Sequence, residues 1–248
     1  MKARPSYDEG DQAMLEQRAP RAAAFAKQIL DTARPFLPDR PLTALDVGCS
    51  YGHTALELAR HCERVVGIEP FDEPAQYAKQ LAAGVRNLEI RQGSIYDLTE
   101  RDTYDLAVLD NVFEHLPDQP GALATLSAAL RPGGVMYLLM PNKLWPMEVH
   151  YHLPFLSYLP VPLANRYLKW TGRGTDYTDA SYAPTYWKLR RLLDMRSELR
   201  YELVLPADVT LAANGGALHY RLGVAAIRRV PALWAISKAF LVIAVKNS

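Results

Sequence analysis

The chain has 248 residues, a length that fits one α/β domain with additions or one and a half domains. Its hydrophobic fraction of 49% is enough for a sizeable core, and its net charge of +1 gives no overall field that would attract nucleic acid. The two cysteines, Cys49 and Cys62, match no metal-ligand spacing and favour a reducing, cytoplasmic compartment. We therefore expect a cytoplasmic α/β protein without a nucleic-acid partner.

Residues 1–41 are predicted to form a helical extension in front of the core. The first residues are polar and do not resemble a secretory signal. Apolar residues recur near the helical period from Gln12 to Arg34, which predicts a helix that Pro20 should break or restart. This helix either covers a bound ligand, with Tyr7 as part of a lid, or packs on the edge of a sheet.

Residues 42–142 alternate short apolar runs with helical segments. Apolar runs of this kind are typical of strands that are buried on both faces of a parallel sheet. In such sheets, ligands bind beyond the carboxyl ends of the strands. The predicted strands are 42–47, 64–68, 87–91, 104–109 and 135–140, and the predicted helices are 53–62, 72–83 and 119–130.

A glycine turn lies between the first strand and the first helix of this region. It runs from Gly48 to Gly52, with the strand ending at Val47 and the helix beginning at His53. Glycines let the backbone approach a ligand closely, and the amides at a helix start attract a negative group. The turn is therefore either a ligand cradle or an ordinary connection in an α/β protein.

Two carboxylates favour the ligand cradle. Asp46 would repel the pyrophosphate of a dinucleotide, and the Gly48-x-x-x-Gly52 spacing also differs from G-x-G-x-x-G. Glu69 ends the next strand, where an acidic residue can accept hydrogen bonds from both hydroxyls of a ribose. These residues predict a ligand with a ribose, a cationic part and a carboxylate, and S-adenosylmethionine has all three.

Five stretches of residues 45–142 follow one another in a fixed order: LDVGCSYG (45–52), VVGIEP (65–70), QGSIYDL (92–98), YDLAVLDNVFEHLPD (104–118) and LRPGGVMYLLMPN (130–142). In series they resemble the class I S-adenosylmethionine-dependent methyltransferases, and the pattern is similar to the small-molecule and quinone methyltransferase branch. The resemblance implies a Rossmann-like sheet, S-adenosylmethionine as co-substrate and methyl transfer to oxygen. Because the methyl group of a sulfonium is already activated, we expect in-line transfer, and we predict a small-molecule or lipid-like acceptor.

The resemblance also suggests which residues hold the cofactor. Members of the family often have an acidic residue where Ser94 stands, so Ser94 would bond the adenine amine more weakly, while Ile95 packs on the adenine face. Asn111 can bond the methionine part. The predicted cofactor-binding residues are Asp46, Gly48, Cys49, Gly52, Glu69, Pro70, Ser94, Ile95, Asp110 and Asn111.

Three histidines are candidates for the group that accepts a proton from the acceptor. His115 follows the fourth strand, where it acts as a base or bonds nearby backbone. His150 and His152 belong to the pattern Glu148-x-His150-x-His152, which on a strand would share one face and resemble metal ligands. Methyl transfer from a sulfonium needs no metal, so we predict His150 or His152 as a base and no metal site.

Residues 143–184 are predicted to form a cap inserted after the fifth strand. The stretch 143–187 holds 10 of the 24 aromatic residues, and five prolines prevent it from forming one long helix. Segments that leave a sheet at the mouth of a site often determine the substrate. The cap either binds the acceptor or packs only on itself.

Residues 185–248 are predicted to complete a seven-stranded, mostly parallel sheet. Thr185 should cap a helix that runs through Met195, and strands at 201–205 and 239–246 would form the antiparallel pair of the family. The insertion at 206–238 either packs beneath the cap or contacts a membrane surface through residues 221–238.

The sequence is also compatible with two other functions. The chain could be a non-catalytic cofactor-binding or scaffold protein that keeps the methyltransferase fold. It could also be a nucleotide-dependent oxidoreductase, although Asp46 and the glycine spacing disfavour that function.

Overall fold

The computed structural model describes residues 12–209 and 218–247 of the chain. Within these ranges, seven strands form one sheet in the order β3-β2-β1-β4-β5-β7-β6. Strands β1 to β5 are parallel, and β7 runs antiparallel to both of its neighbours, β5 and β6. This confirms the predicted Rossmann-like sheet. The strands are β1 (Thr43–Val47), β2 (Arg64–Glu69), β3 (Leu88–Gln92), β4 (Tyr104–Asp110), β5 (Leu130–Pro141), β6 (Leu199–Leu203) and β7 (Ala239–Lys246).

Helices cover both faces of the sheet, as the alternation of strands and helices predicted. On one face, Leu126 of α4 and Leu193 of α6 pack in the same core as Leu45 of β1. On the other face, Ile29 of α1 and Leu58 of α2 pack in a second core. The helices are α1 (Gln12–Ala33), α2 (His53–Ala59), α3 (Asp72–Leu81), α4 (Gln119–Ala129), α5 (Val161–Thr171), α6 (Tyr186–Asp194) and α7 (Leu218–Arg229).

Helix α1 contains Pro20 without a break, so the prediction that this proline interrupts the helix is wrong. A proline inside a helix removes one backbone donor and costs about 3 kcal/mol or more. Here Ala26, Ile29 and Ala33 are buried in one core with α2 and the sheet, and this packing outweighs the lost hydrogen bond. Tyr7 lies outside the described residues.

The buried carboxylate of Asp105 fixes the amino-terminal ends of the central strands. It accepts hydrogen bonds from the Thr43 amide of β1 at 2.8 Å and from Arg131 Nη1 of β5 at 2.7 Å. Arg40 Nη1 also donates to it, at 3.2 Å. Because these contacts hold β1, β4 and β5 at one end, the opposite ends of the same strands are held in a constant relation to one another.

The predicted cap at 143–184 has a small hydrophobic core of its own. Tyr151, Leu156, Leu168 and Tyr177 are buried together in it, apart from the two cores of the sheet. Helix α5, two short 3-10 helices and the loops between them supply the residues of this core.

The segment after residue 184 returns to the sheet, and β6 begins and ends two residues earlier than the predicted strand at 201–205. The Thr185 hydroxyl accepts a hydrogen bond from the Lys188 amide and caps α6, and β6 and β7 pair in antiparallel fashion. The carbonyls of Ala235 and Ser237 accept hydrogen bonds from Asn142 Nδ2. Among the helices in the described ranges, we find none with the length and apolar character needed to cross a membrane.

Candidate functional site

Three acidic side chains lie at the carboxyl end of the sheet. Asp46 is near the end of β1, Glu69 ends β2 and Asp110 ends β4, and these three strands are direct neighbours. Asp46 and Glu69 are each only 4% exposed. The register of parallel strands thus brings together residues that stand far apart in the chain, at the edge where sheets of this kind bind ligands.

The turn between β1 and α2 requires glycine at both of its ends. Gly48 has a φ of +68° and Gly52 a φ of +79°, values that residues with a side chain rarely adopt. A Cβ atom on Gly48 would lie 2.6 Å from Val112 Cγ2, and one on Gly52 would lie 2.8 Å from Ala78 Cβ. The two glycines therefore serve the packing of the turn itself.

Glu69 holds this turn through its carboxylate. Its Oε2 accepts a hydrogen bond from the Ser50 amide at 2.9 Å, and its Oε1 accepts one from the Phe71 amide at 3.0 Å. The amide of Gly48 also donates to the Ile68 carbonyl at 2.7 Å. Sequence reasoning assigned Glu69 only to a ligand, and the structure adds that it links the turn after β1 to the turn after β2.

Asp46 carries a buried carboxylate in the middle of this arrangement. Its Oδ2 atom is buried and has no hydrogen-bond partner among the described residues. Burial, with further contributions from the charges of Asp110 and Glu69, raises the pKa of Asp46 to about 8. A positively charged ligand beside Asp46 would lower this pKa, since an opposite charge favours the ionised form.

The remaining predicted cofactor residues surround the same edge. The Ser94 hydroxyl accepts a weak hydrogen bond from the Tyr96 amide at 3.4 Å, and the adjacent Ile95 is buried. Asn111 is exposed, has a φ of +55°, and donates from Nδ2 to Asp110 Oδ1 at 2.7 Å. Cys49 is buried within the turn, and Pro70 is exposed at the end of β2.

A second set of side chains, which we call the Glu114 cluster, combines residues that follow β4 with residues that follow β5. It consists of Glu114, His115 and His150, with Asp179 and Glu148 behind the two histidines. The His115 and His150 rings lie 5.0 Å apart between centroids, and Glu114 Oε1 is 3.9 Å from His115 Nε2 and 4.0 Å from His150 Nε2. His115 Nδ1 lies 2.8 Å from Asp179 Oδ2, and His150 Nδ1 lies 2.7 Å from Glu148 Oε1.

The sequence predicted both of these histidines as site residues. It did not predict that their rings contact each other or that Asp179 contacts His115. A single aspartate in an aromatic segment carries no pattern that would have found it. The third candidate, His152, lies exposed on the cap with a φ of +52°. The structure therefore brings two of the three predicted histidines together.

Burial changes the electrostatics of the Glu114 cluster. It raises the pKa of Glu114 to about 7, against the lowering effect of the neighbouring His115. The charge of Asp110 also adds to this rise. Burial lowers the pKa of His115, but the hydrogen bond to Asp179 and the charge of Glu114 outweigh that effect and raise it overall.

A family described as "Methyltransferase domain" matches residues 14–188, which is more than half of the chain. This chain belongs to the methyltransferase domain family. Membership confirms the resemblance that the five sequence stretches carried, to the class I S-adenosylmethionine-dependent methyltransferases. The match ends inside α6, so it includes both the strand-end acids and the Glu114 cluster.

Curated relatives share part of this chain. The trans-aconitate 2-methyltransferase of Deinococcus radiodurans is 33% identical over 106 residues, which are 42% of this chain and 40% of the relative. The ubiquinone biosynthesis O-methyltransferase of a Bradyrhizobium species is 29% identical over 135 residues, 54% of this chain and 50% of the relative. The chain thus spans about half the length, or less, of these relatives.

Solved methyltransferase structures share the fold at low sequence identity. The plantazolicin methyltransferase BpumL in complex with SAH matches with a TM-score of 0.61 at 14% identity, over 98% of this chain and 92% of that one. A complex between the Haloferax volcanii Trm112 methyltransferase activator and a methyltransferase matches with a TM-score of 0.59 at 15% identity, over 100% of both chains.

The pKa of Asp46 predicts how the stability of the free protein depends on pH. Its folded-state value of about 8 lies above the unfolded value of roughly 3.9, so the folded state binds this proton more tightly. The resulting stabilisation is complete below about pH 4 and is lost as the pH rises toward 8, by up to about 1.4 kcal/mol per pH unit. Urea unfolding at pH 5 to 8.5 should show a flatter profile for Asp46→Asn than for the parent.

The exposed Asp39 provides the matched control for this prediction. Asp39→Asn should keep the pH profile of the parent. A profile of Asp46→Asn that runs parallel to the parent between pH 5 and 8 would show that Asp46 is already ionised in the folded protein.

Proposed function

We propose that this chain transfers the methyl group of S-adenosylmethionine to an oxygen atom of a small-molecule or lipid-like acceptor. The observation that carries this proposal is the acidic edge of the sheet, where Asp46, Glu69 and Asp110 lie at the carboxyl ends of three neighbouring strands and Glu69 bonds the glycine turn. Membership of the methyltransferase domain family supports S-adenosylmethionine as the methyl donor. The ubiquinone biosynthesis O-methyltransferases among the relatives support oxygen as the methylated atom.

The donor is held by groups of complementary charge. The buried Asp46 faces the cationic methionine part, and Asp110 with Asn111 adds to the same side. Glu69 uses two oxygens for backbone amides, and its remaining lone pairs can accept the ribose hydroxyls. The turn residues contact the methionine part, and the strand ends contact the ribose and adenine. The turn residues are Gly48, Cys49 and Gly52, and the strand-end residues are Pro70, Ser94 and Ile95.

The transfer itself requires little chemistry from the protein. A lone pair of the acceptor oxygen forms the new C–O bond as the S–CH₃ bond breaks, and the bonding electrons stay on sulfur as a neutral thioether. The protein must hold the two reactants in line and exclude water. We propose that the cap, residues 143–184, covers the acceptor.

The acceptor must also lose a proton if it is a hydroxyl. Glu114 and His115 follow β4, the strand that Asp110 ends, which supports a position of the Glu114 cluster beside the donor. His115 and His150 are therefore the candidates for proton acceptors, since imidazole titrates near neutral pH. The exposed position of His152 makes it the weakest of the three candidates.

Donor binding tests the core of this proposal. Calorimetric titration should show binding of S-adenosylmethionine and of its demethylated product. Glu69→Ala should weaken both by roughly 1–3 kcal/mol, about 5- to 150-fold, because charged hydrogen bonds are lost. The matched control is Glu63→Ala, an exposed glutamate just before the other end of β2.

The other outcomes of this titration separate the alternatives. Because Glu69 also braces the turn, circular dichroism must show that Glu69→Ala is folded, and Asp46→Asn provides a second variant. Binding of NAD alone would favour the oxidoreductase. A folded parent that binds none of these compounds would contradict the methyltransferase proposal.

The acceptor is tested by product analysis. We expect S-adenosylmethionine to methylate a member of a panel of phenols and carboxylic acids, and mass spectrometry should locate the new methyl group on oxygen. Glu69→Ala should slow this reaction and Glu63→Ala should not. Methylation of amines alone would contradict the oxygen assignment, and donor binding without any product would favour the non-catalytic scaffold.

We also propose that residues 218–238 contact an anionic membrane surface from the cytoplasmic side. Leu218, Leu222 and Ile236 are exposed there, each by 60% or more. The sequence has no acidic residue from Val209 onward, whereas the whole chain carries only +1. Exposed apolar side chains with basic neighbours are typical of interfacial helices. The basic residues of this segment are Arg221, Arg228, Arg229 and Lys238.

Vesicle sedimentation tests this contact. The parent should sediment with phosphatidylglycerol vesicles but not with phosphatidylcholine vesicles, and added salt should release it. Leu222→Glu should reduce sedimentation several-fold, because it removes apolar area and adds a negative charge that the anionic lipid repels. Leu163→Glu, at an exposed position of α5, should sediment as the parent does. Equal loss in both variants would contradict the assignment to residues 218–238.

A further inference from the structure

The Glu114 carboxylate is an unusual group to find at the centre of a site. It is 0% exposed, and neither of its oxygens has a hydrogen-bond partner among the described residues. A buried carboxylate of this kind is costly unless it is paired or coordinates a metal. The Nε2 atoms of His115 and His150 lie 3.9 and 4.0 Å from Glu114 Oε1, beyond hydrogen-bond distance.

Glu114 and its two histidine neighbours have the arrangement of a ligand set. One oxygen of Glu114 and one nitrogen each from His115 and His150 all lie within 4.8 Å of one another. The edge of a tetrahedral site with bonds of about 2.0 Å is roughly 3.3 Å. Closing the three side chains around an ion therefore requires movements of about an ångström or less, which rotations of the side chains can supply.

Both histidines are also oriented as metal ligands usually are. Asp179 Oδ2 accepts from His115 Nδ1 at 2.8 Å, and Glu148 Oε1 accepts from His150 Nδ1 at 2.7 Å. A proton on Nδ1 leaves the lone pair of each neutral imidazole on Nε2, the atom that points toward Glu114. A carboxylate behind each histidine is the usual second layer of a metal site.

The second layer is itself held in place. Glu148 Oε2 accepts hydrogen bonds from the His150 amide at 2.9 Å and from the Tyr151 amide at 2.7 Å. Only 5% of Glu148 is exposed. Its carboxylate is thus fixed by the backbone before any ion arrives, which is a property of a built site.

We propose that Glu114, His115 and His150 bind one divalent transition-metal ion. Two imidazoles and one carboxylate favour Zn²⁺, Co²⁺, Ni²⁺ or Fe²⁺, whereas Mg²⁺ and Ca²⁺ prefer oxygen ligands alone. Three protein ligands leave at least one coordination position for another molecule. This inference replaces the expectation of a site without metal that the sequence supported.

The proposed ion would also change the way the acceptor loses its proton, a consequence that rests on the proposed function. An acceptor oxygen held by the ion would have a lower pKa, so its hydroxyl would release the proton to water more readily. With the ion bound, His115 and His150 would serve as ligands, and water would take the proton that they accept in the metal-free protein.

Metal binding can be measured without any methyl transfer. The protein is treated with a chelator, dialysed, and titrated with Zn²⁺ by calorimetry and with Co²⁺ by visible absorption. We expect one ion per chain, a Co²⁺ spectrum of a low-coordinate nitrogen and oxygen site, and a higher melting temperature with Zn²⁺. His115→Ala and His150→Ala should each lower the affinity at least 100-fold.

Two further variants make the test specific. Glu148→Gln leaves the three ligands in place and should weaken binding about 10- to 100-fold, as changes behind a ligand do. His152→Ala removes an exposed histidine two positions from His150 and should leave the metal affinity unchanged. If the alanine variants unfold, the difference in metal affinity between Glu148→Gln and His152→Ala still tests the proposed site.

Several results would overturn the proposal. They are the absence of saturable Zn²⁺ or Co²⁺ binding by the folded parent, binding that persists in both His115→Ala and His150→Ala, and binding that His152→Ala alone abolishes. Titration of the same samples with the demethylated donor product keeps the two proposals apart. Metal binding without donor binding contradicts the proposed function and not the metal site, and the reverse result contradicts only the metal site.

Discussion

The hydrogen bonds from two backbone amides to Glu69 are the contact on which the rest of the site depends. One carboxylate at the end of β2 holds Ser50, in the turn after β1, and Phe71, at the start of α3. The turn contains glycines with positive φ, and the neighbouring strand β2 holds it in place. The Glu69 carboxylate and the Ile68 carbonyl both accept hydrogen bonds from amides of the turn, at the place where the donor is proposed to bind.

The site also holds three carboxyl groups whose ionisation is disfavoured by burial. Burial raises the pKa values of Asp46, Asp110 and Glu114 to about 8, 6 and 7. Such a site costs folding free energy, and it is complementary to cations. A sulfonium beside Asp46 and a metal ion beside Glu114 would each relieve part of this cost. The proposed donor site and the proposed metal site therefore share the same requirement for a cation.

The Glu114 cluster also joins the cap to the sheet. Glu114 and His115 follow β4, whereas His150 and Asp179 come from the segment that leaves β5. Gln119 reinforces the contact, since its Nε2 donates to the carbonyls of both Phe113 and Tyr182. The cap is therefore anchored at the place where the acceptor is proposed to react, and its own core keeps it in shape.

The sequence by itself determined the sheet, the glycine turn, the acidic strand ends and the family, because these follow from local patterns and from the fixed order of parallel strands. Only the tertiary structure decided that α1 continues through Pro20, since buried alanines outweigh one lost hydrogen bond. It also decided that His115 meets His150 and Asp179 while His152 stays on the surface. His115 and Asp179 are 64 residues apart, and packing across such a distance leaves no trace in the local sequence.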